Sequence, residues 1–411
     1  MTTIPATMAA VQLLGHGGPE MLRFNEAVPV PQPETGEVLI KVHACGMNNT
    51  DIKVRTGEYT VDFDPNAADV PGRGSAATDR GSTVPDNAYP TIDRASIASL
   101  NGATSLAFPR IQGADIVGRI VATGPGVPEQ RLGERVLVDF SIYNGTDDEG
   151  RPALDPANVD YIGHGRDGGY AEFVTVPADN AHRIAREISD AELATFGCST
   201  LTAEQMLERT GVSPGDRVLV TGAGGGVGSA AVQLVRARGG IPFAVTSRGK
   251  EQILLDLGAE ACIVRQDCTD ERGVFDRAAF VRQVEHVTGG THRIGVVVDQ
   301  VGGTMLHALL QTLTPGGHYI TAGTIAGYTP RVNMHALYMR FLSIHGSSQG
   351  TPEDFARIVG YIEKGTIKPV LGGTFPLSKL ARAQESFQRK QHVGNLVIIP
   401  DALWKGSIPR V

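Results

Sequence analysis

Apolar and polar positions fall into two regimes along the chain. Up to about Ile184, apolar residues come in short alternating or continuous runs closed by turn residues, the pattern of strands. Residues 8–13, 37–42 and 118–123 are such runs, and residues 168–176 form another, entered through a Gly-Gly turn. From Ser189 to about Ser343, strand-like runs alternate with helical periodicity. Residues 191–209 and 229–238 predict helices, while 217–221, 242–246, 296–299 and 318–321 predict short buried strands. This alternation predicts a parallel sheet between layers of helices. The tail predicts helices over 352–364 and 378–389 and strands near 373–376 and 396–399. Residues 60–109 and 141–167 follow neither period. They are rich in Asp, Pro, Ser, Gly and Ala and predict two long surface insertions.

The chain has 411 residues, enough for two or three domains, and its 41% hydrophobic content can fill sizeable cores. Lys plus Arg number 37 against 44 Asp plus Glu, a formal charge of −7. That balance, with no basic run, argues against nucleic-acid or anionic-membrane partners. No apolar run is long enough to span a bilayer, and no basic-then-apolar leader is seen at Met1, so a cytoplasmic protein is expected. The four cysteines, Cys45, Cys198, Cys262 and Cys268, form no CxxC pair and are expected to be reduced thiols.

The most informative segment is Thr221-Gly222-Ala223-Gly224-Gly225-Gly226-Val227-Gly228, between an expected strand and an expected helix. Ala223, Gly225 and Gly228 occupy the three small positions of a dinucleotide fingerprint. Small residues let the backbone approach a pyrophosphate, whose charge is favoured at a helix N-terminus. The end of the second strand chooses between cofactors, because NAD sites place a carboxylate there for the ribose hydroxyls. This chain has Thr246-Ser247-Arg248-Gly249-Lys250 instead. Two cations and no carboxylate suit the 2′-phosphate of NADPH. The expected cofactor set is Thr221, Ala223, Gly224, Gly225, Gly226, Val227, Gly228, Ser247, Arg248 and Lys250, with Gly323 counted alongside.

With these motifs, the Gly168-Gly-Tyr-Ala-Glu172, Ala231-Val-Gln-Leu234, Leu257-Gly-Ala259 and Val298-Asp-Gln-Val-Gly-Gly303 segments make the chain resemble the medium-chain dehydrogenase/reductase superfamily. The resemblance covers nearly the whole length outside the insertions. It implies an α/β fold: a Rossmann NADP-binding domain over residues 187–346 and a GroES-like β-rich catalytic domain from 1–186 and 347–411. The nicotinamide is expected between them, and a homodimer is expected through the sheet edge near residues 341–345.

Zinc alcohol dehydrogenases of the superfamily hold catalytic zinc with Cys, His and Cys or Glu. In the matching segments, Asn48 stands for the first Cys and Ala114 for the His. Cys198 alone near the third position cannot hold zinc, which needs three protein ligands, and is expected to be a buried small residue. The chain is closer to the zinc-free quinone oxidoreductase-like and enoyl reductase-like branch, whose Asn-x-x-Asp then Gly-x-Tyr pattern reads here Asn48, Asp51, Gly57 and Tyr59. The resemblance makes Asn48 and Tyr59 the candidate catalytic residues, with Asp51 beside them. Asp51 and Arg55 are expected to order the loop, and His164 is an alternative acid. The expected reaction is hydride transfer from NADPH to an activated C=C of a small-molecule substrate. Alternatives are quinone reduction, a redox-neutral biosynthetic step, or NADPH binding without turnover.

Overall fold

The computed structural model describes residues 4–57, 106–146, 159–270, 272, 274–327, 332–348 and 350–406. These pack as two units, one of residues up to 201 together with the tail from 350, the other of residues 202–348.

The first unit is built of antiparallel strands. Along the chain come β1 (Thr7–Leu13), β2 (Leu22–Pro29), β3 (Glu37–Gly46), β4 (Arg110–Ile111), β5 (Asp115–Thr123) and β6 (Arg135–Val138). Then follow β7 (Ser141–Tyr143), β8 (Val159–Tyr161), β9 (Phe173–Pro177) and β10 (Ala181–Arg183). The largest sheet has β3 at its centre, paired with β5 and with β9. Val38, Leu39, Ile40, Val42 and Ala44 of β3 are all buried, so both faces of this strand are covered. That explains a run longer than strict alternation predicted. A helix, α1 (Asn49–Thr56), follows β3 directly. The stretch 141–167, expected to be an irregular surface insertion, behaves otherwise at its described ends. There β7 and β8 pair antiparallel, and Ser141, Val159 and Ile162 are buried.

The second unit holds β11 (Arg217–Val220), β12 (Ile241–Thr246), β13 (Ala261–Val264), β14 (Ile294–Asp299), β15 (Leu313–Thr321) and β16 (Ser343–Gly346). All pairings are parallel and the order is β13-β12-β11-β14-β15-β16. Counted within the unit this is 3-2-1-4-5-6, the doubly wound Rossmann arrangement, whose ligand crevice opens where strands 1 and 4 diverge. Here those strands are β11 and β14. Leu219, Phe243, Val245, Ile263, Val297 and Tyr319 share one buried core with Phe280, Leu306 and Leu309. Two further strands, β17 (Leu371–Pro376) and β18 (Asn395–Ile399), return to the first unit, where β18 joins β3.

The helix expected over 191–209 is broken. Asp190–Leu193 and Cys198–Arg209 are helical, with residues 194–197 between them. The cause lies in β5. The Asp115 carboxyl presses so close that a Cβ on Gly197 would stand 2.4 Å from its Cγ. Asp115 Oδ1 then accepts the N–H of Cys198 at 2.7 Å, capping the second helix with a carboxylate from another strand.

Candidate functional site

In the second unit the glycine loop leaves β11 at the point where the sheet divides. Ala223 N–H donates to Val245 O at 3.1 Å, tying the loop to β12. Gly225 is the N-cap of helix α2 (Gly226–Ala237), and no side chain caps it. The first amides of α2 are therefore left for an external anion. A Cβ on Gly228 would lie 2.4 Å from Gly222 O and 2.5 Å from Ala223 Cα, so only glycine lets the helix pack onto its own loop. Val227 lies in the first turn of α2.

The loop is anchored by Asp299 at the end of β14, a residue with no solvent exposure. Its Oδ1 accepts from Thr221 Oγ1 and from Val301 N at 2.9 Å. Its Oδ2 accepts from Gly302 N at 3.0 Å and from the Tyr319 hydroxyl at 2.6 Å. Thr221 Oγ1 in turn accepts the Gln300 amide at 3.1 Å. One carboxylate thus gathers the ends of β11, β14 and β15. Burial, with the charge of Asp299 beside it, pushes the Tyr319 phenol well up, so that hydroxyl is a fixed donor. Gly323 sits just past β15, where a Cβ would be 2.6 Å from Gln300 O.

Ser247, Arg248 and Lys250 follow β12, at the same end of the sheet as the glycine loop. Lys250 runs beside Gly224, its Cδ 2.8 Å from where a Cβ there would stand. Burial lowers its pKa. Thr246 Oγ1 is buried nearby with no hydrogen-bond partner among the described residues. Arg248 differs from the sequence expectation, because it already has a partner, forming an ion pair with Asp267. A loop with uncapped helix amides, an orphaned hydroxyl and a lysine beside it fits a nicotinamide dinucleotide.

The first unit holds the other group. Asn48 is buried and is the N-cap of α1. Asp51 Oδ2 accepts the Asn48 amide at 2.8 Å and the Tyr170 hydroxyl at 2.8 Å. Gln112 Nε2 donates to the Asp51 carbonyl at 2.9 Å. Burial raises Asp51 to about 6 against the hydrogen bonds from the Asn48 amide and the Tyr170 hydroxyl. Asp115 lies alongside and is raised to about 7, mainly by burial and in part by Asp51. The Asn48 side chain and the Cys198 amide pull in the other direction. Asp115 Oδ2 and Asn48 Nδ2 nevertheless make no well-formed hydrogen bond among the described residues. Cys45, buried between the two carboxyls' fields, has its thiol pushed well up by burial first and Asp51 second.

Arg55 orders the neighbourhood, donating to Gln384 Oε1 at 2.7 Å and Gly17 O at 2.6 Å. Cys198 is half-buried, against the expectation of full burial. His164 is mostly shielded, and burial lowers its pKa. Tyr59 lies outside the described residues. Where zinc ligands would stand are a carboxamide and a methyl group, and no three His, Cys, Asp or Glu side chains gather as a metal site among the described residues. These positions do not fit zinc. Asp115, Asp299, Tyr319 and Thr246 have no role assigned from the sequence, although Asp299 and Thr246 lie inside quoted motifs and Asp115 follows Ala114.

Two family models match: a zinc-binding dehydrogenase model over residues 274–398 and the alcohol dehydrogenase GroES-like domain over residues 88–186. Quinone oxidoreductase of Rattus norvegicus is 27% identical over 394 residues, 94% of this chain and 95% of its own. A solved structure of a presumed alcohol dehydrogenase from Sinorhizobium meliloti 1021 is 48% identical, with a TM-score of 0.81 over 98% of this chain and 99% of that one. Crotonyl-CoA carboxylase/reductase AntE in complex with NADP is 25% identical, with a TM-score of 0.76 over 97% and 96%. Among the described residues no helix is long and apolar enough to cross a membrane. With a parallel Rossmann sheet, a GroES-like unit and a relative at 48% identity over almost the full length, the chain belongs to the medium-chain dehydrogenase/reductase superfamily of oxidoreductases.

Proposed function

We propose that this oxidoreductase works without zinc and uses NADPH to reduce a carbon–carbon double bond conjugated to a carbonyl. The observation that carries the reading is the donor set around Asn48: a buried carboxamide backed by Asp115 and Asp51, with Ala114 beside Asp115. Without a Lewis acid, ionising an alcohol is hard. An enone or enoyl thioester is easier to reduce, because negative charge develops on an oxygen that hydrogen-bond donors can meet. NADPH supplies the hydride. The chain's own part is to hold the dinucleotide on the α2 amides and glycine loop, and to present Asn48, with Tyr59 as a candidate donor, to the carbonyl. Tyr59 or water then protonates the α-carbon. Lys250 beside Gly224 supports NADPH, as does the NADP bound by AntE.

Quinone reduction is the second reading, favoured by the similarity to quinone oxidoreductase along 94% of the chain. The test is NADPH consumption with enones, quinones, acyl thioesters and simple ketones, alongside elemental analysis. Enone or thioester turnover in zinc-free protein is expected. About one zinc per chain, lost together with activity, would overturn the proposal. A homodimer joined along β16 belongs to the same reading. Phe341, 80% exposed just before that edge strand, is the surface it would cover.

A further inference from the structure

The ion pair at the end of β12 involves a third strand. Thr246 of β12 stands opposite Val264 of β13 in parallel register, so both strands deliver their following loops to one end of the sheet. Asp267 comes three residues after Val264, in the turn Arg265–Cys268. Its Oδ1 pairs with the Arg248 guanidinium, while Gln266 Oε1 accepts the Arg248 backbone amide at 3.1 Å. The pair is open to solvent, with 63% of the Arg248 side chain and 46% of Asp267 exposed. An exposed pair of this kind is weak and exchangeable. Lys250 is placed differently, half-buried along Gly224.

We propose that Asp267 is a specificity-determining residue of the cofactor site, competing for the Arg248 guanidinium with the 2′-phosphate that distinguishes NADPH from NADH. The inference rests on the cofactor reading above. A guanidinium grips a carboxylate and a phosphate with the same paired donors, so it cannot serve both fully. Asp267 also places a negative charge at the mouth of an anion site. Both effects weaken NADPH and leave NADH, which has no 2′-phosphate, unchanged. Lys250 is then the principal cation for the phosphate, and Arg248 contributes what Asp267 releases. Because the groups are exposed, the effect is screened by salt.

The experiment is fluorescence titration of NADPH and NADH into wild type, Asp267→Asn, Arg248→Ala and the double variant, at low and at high salt. Asp267→Asn is expected to tighten NADPH by about three- to ten-fold at low salt and to leave NADH within about two-fold. The gain should shrink in the Arg248→Ala background, since it acts through that guanidinium. An unchanged NADPH-to-NADH affinity ratio in Asp267→Asn overturns the proposal. So does weaker NADPH binding, which would mean that Asp267 orients Arg248 for the phosphate. With Lys250→Ala titrated in the same way, equal weakening of both cofactors by that variant, with NADH preferred by wild type, would overturn the cofactor reading instead. The Asp267→Asn ratio decides the competition whichever cofactor leads. Unfolding temperatures of the variants separate these outcomes from loss of fold.

Discussion

Asp299 and Asp115 are both fully buried, and each sits at the end of a strand beside a glycine-dependent turn, yet their surroundings differ. Asp299 accepts four hydrogen bonds, two on each oxygen. Among the described residues Asp115 accepts one from the Cys198 amide on Oδ1 and none of good geometry on Oδ2. Full satisfaction makes a buried carboxylate a rigid anchor, and partial satisfaction leaves it ready to take up a proton. The unit that would hold the dinucleotide is thus built around a fully hydrogen-bonded carboxylate. The unit that carries Asn48 is built around two titratable ones, Asp115 at about 7 and Asp51 at about 6. A cofactor that must be gripped the same way each turnover suits the first arrangement, and chemistry that moves a proton suits the second.

Asp299→Asn should have the largest effect. Every partner of Asp299 is a donor, so an amide NH2 in place of one oxygen faces two donors with a third. The expected cost is roughly 3–5 kcal/mol, in the range for breaking a buried charged network. Displacing Thr221 should also weaken NADPH by at least about ten-fold. Thermal unfolding and cofactor titration measure the two effects. Wild-type behaviour in both would show that the four hydrogen bonds do not hold the loop.

Asp115→Asn sharpens the other side of the comparison. The folded pKa of Asp115, about 7, lies above its ordinary value of 3.8. The contribution of Asp115 to folding is therefore most favourable below about pH 4, where it is protonated in both states. That contribution is lost as pH rises from there through about 7, because the unfolded chain releases its proton first. Asn carries no such titration. It can still accept the Cys198 amide, so the variant should lose less stability than wild type between pH 4 and 8. The difference is roughly 2–4 kcal/mol, or several degrees in unfolding temperature. Parallel pH profiles for the two proteins would contradict a protonated Asp115.

The fold was readable because its signals are local. The alternation from 189 to 343, the glycine loop and the strand ends each occupy a few consecutive residues, and periodicity places them. What the sequence hid is non-local. Nothing within residues 191–209 announces a break at 194–197, since the cause is a carboxyl on β5 pressing against Gly197. Arg248 reads as a spare cation because its partner Asp267 belongs to the next strand's loop. Asp299 lies inside a quoted motif and Asp115 follows Ala114, but the number of donors around each depends on residues up to 83 positions away. The insertion over 141–167 was judged by composition, and at its described ends β7 and β8 pair antiparallel with Ser141 and Val159 buried.

The smallest effect, and the most discriminating, is expected from Tyr170→Phe. The Tyr170 ring is fully buried and fills its space equally well without the hydroxyl. What is lost is one donor, at 2.8 Å, to Asp51 Oδ2, which keeps its hydrogen bond from the Asn48 amide. That donor is among the groups holding the Asp51 pKa down against burial. Removing it raises the folded pKa further above about 6, so the variant loses stability to ionisation over a longer pH span than wild type. The gap between the two proteins should therefore be small near pH 4.5, where Asp51 is protonated in both, and widen as pH rises through 6 to 8. At its widest it should reach about 1.5–2 kcal/mol, the lower part of the range for a hydrogen bond to a charged group. Unfolding temperatures across that range measure it. A gap that is constant with pH would mean that the hydroxyl serves only packing, and that Asp51 does not titrate across this range.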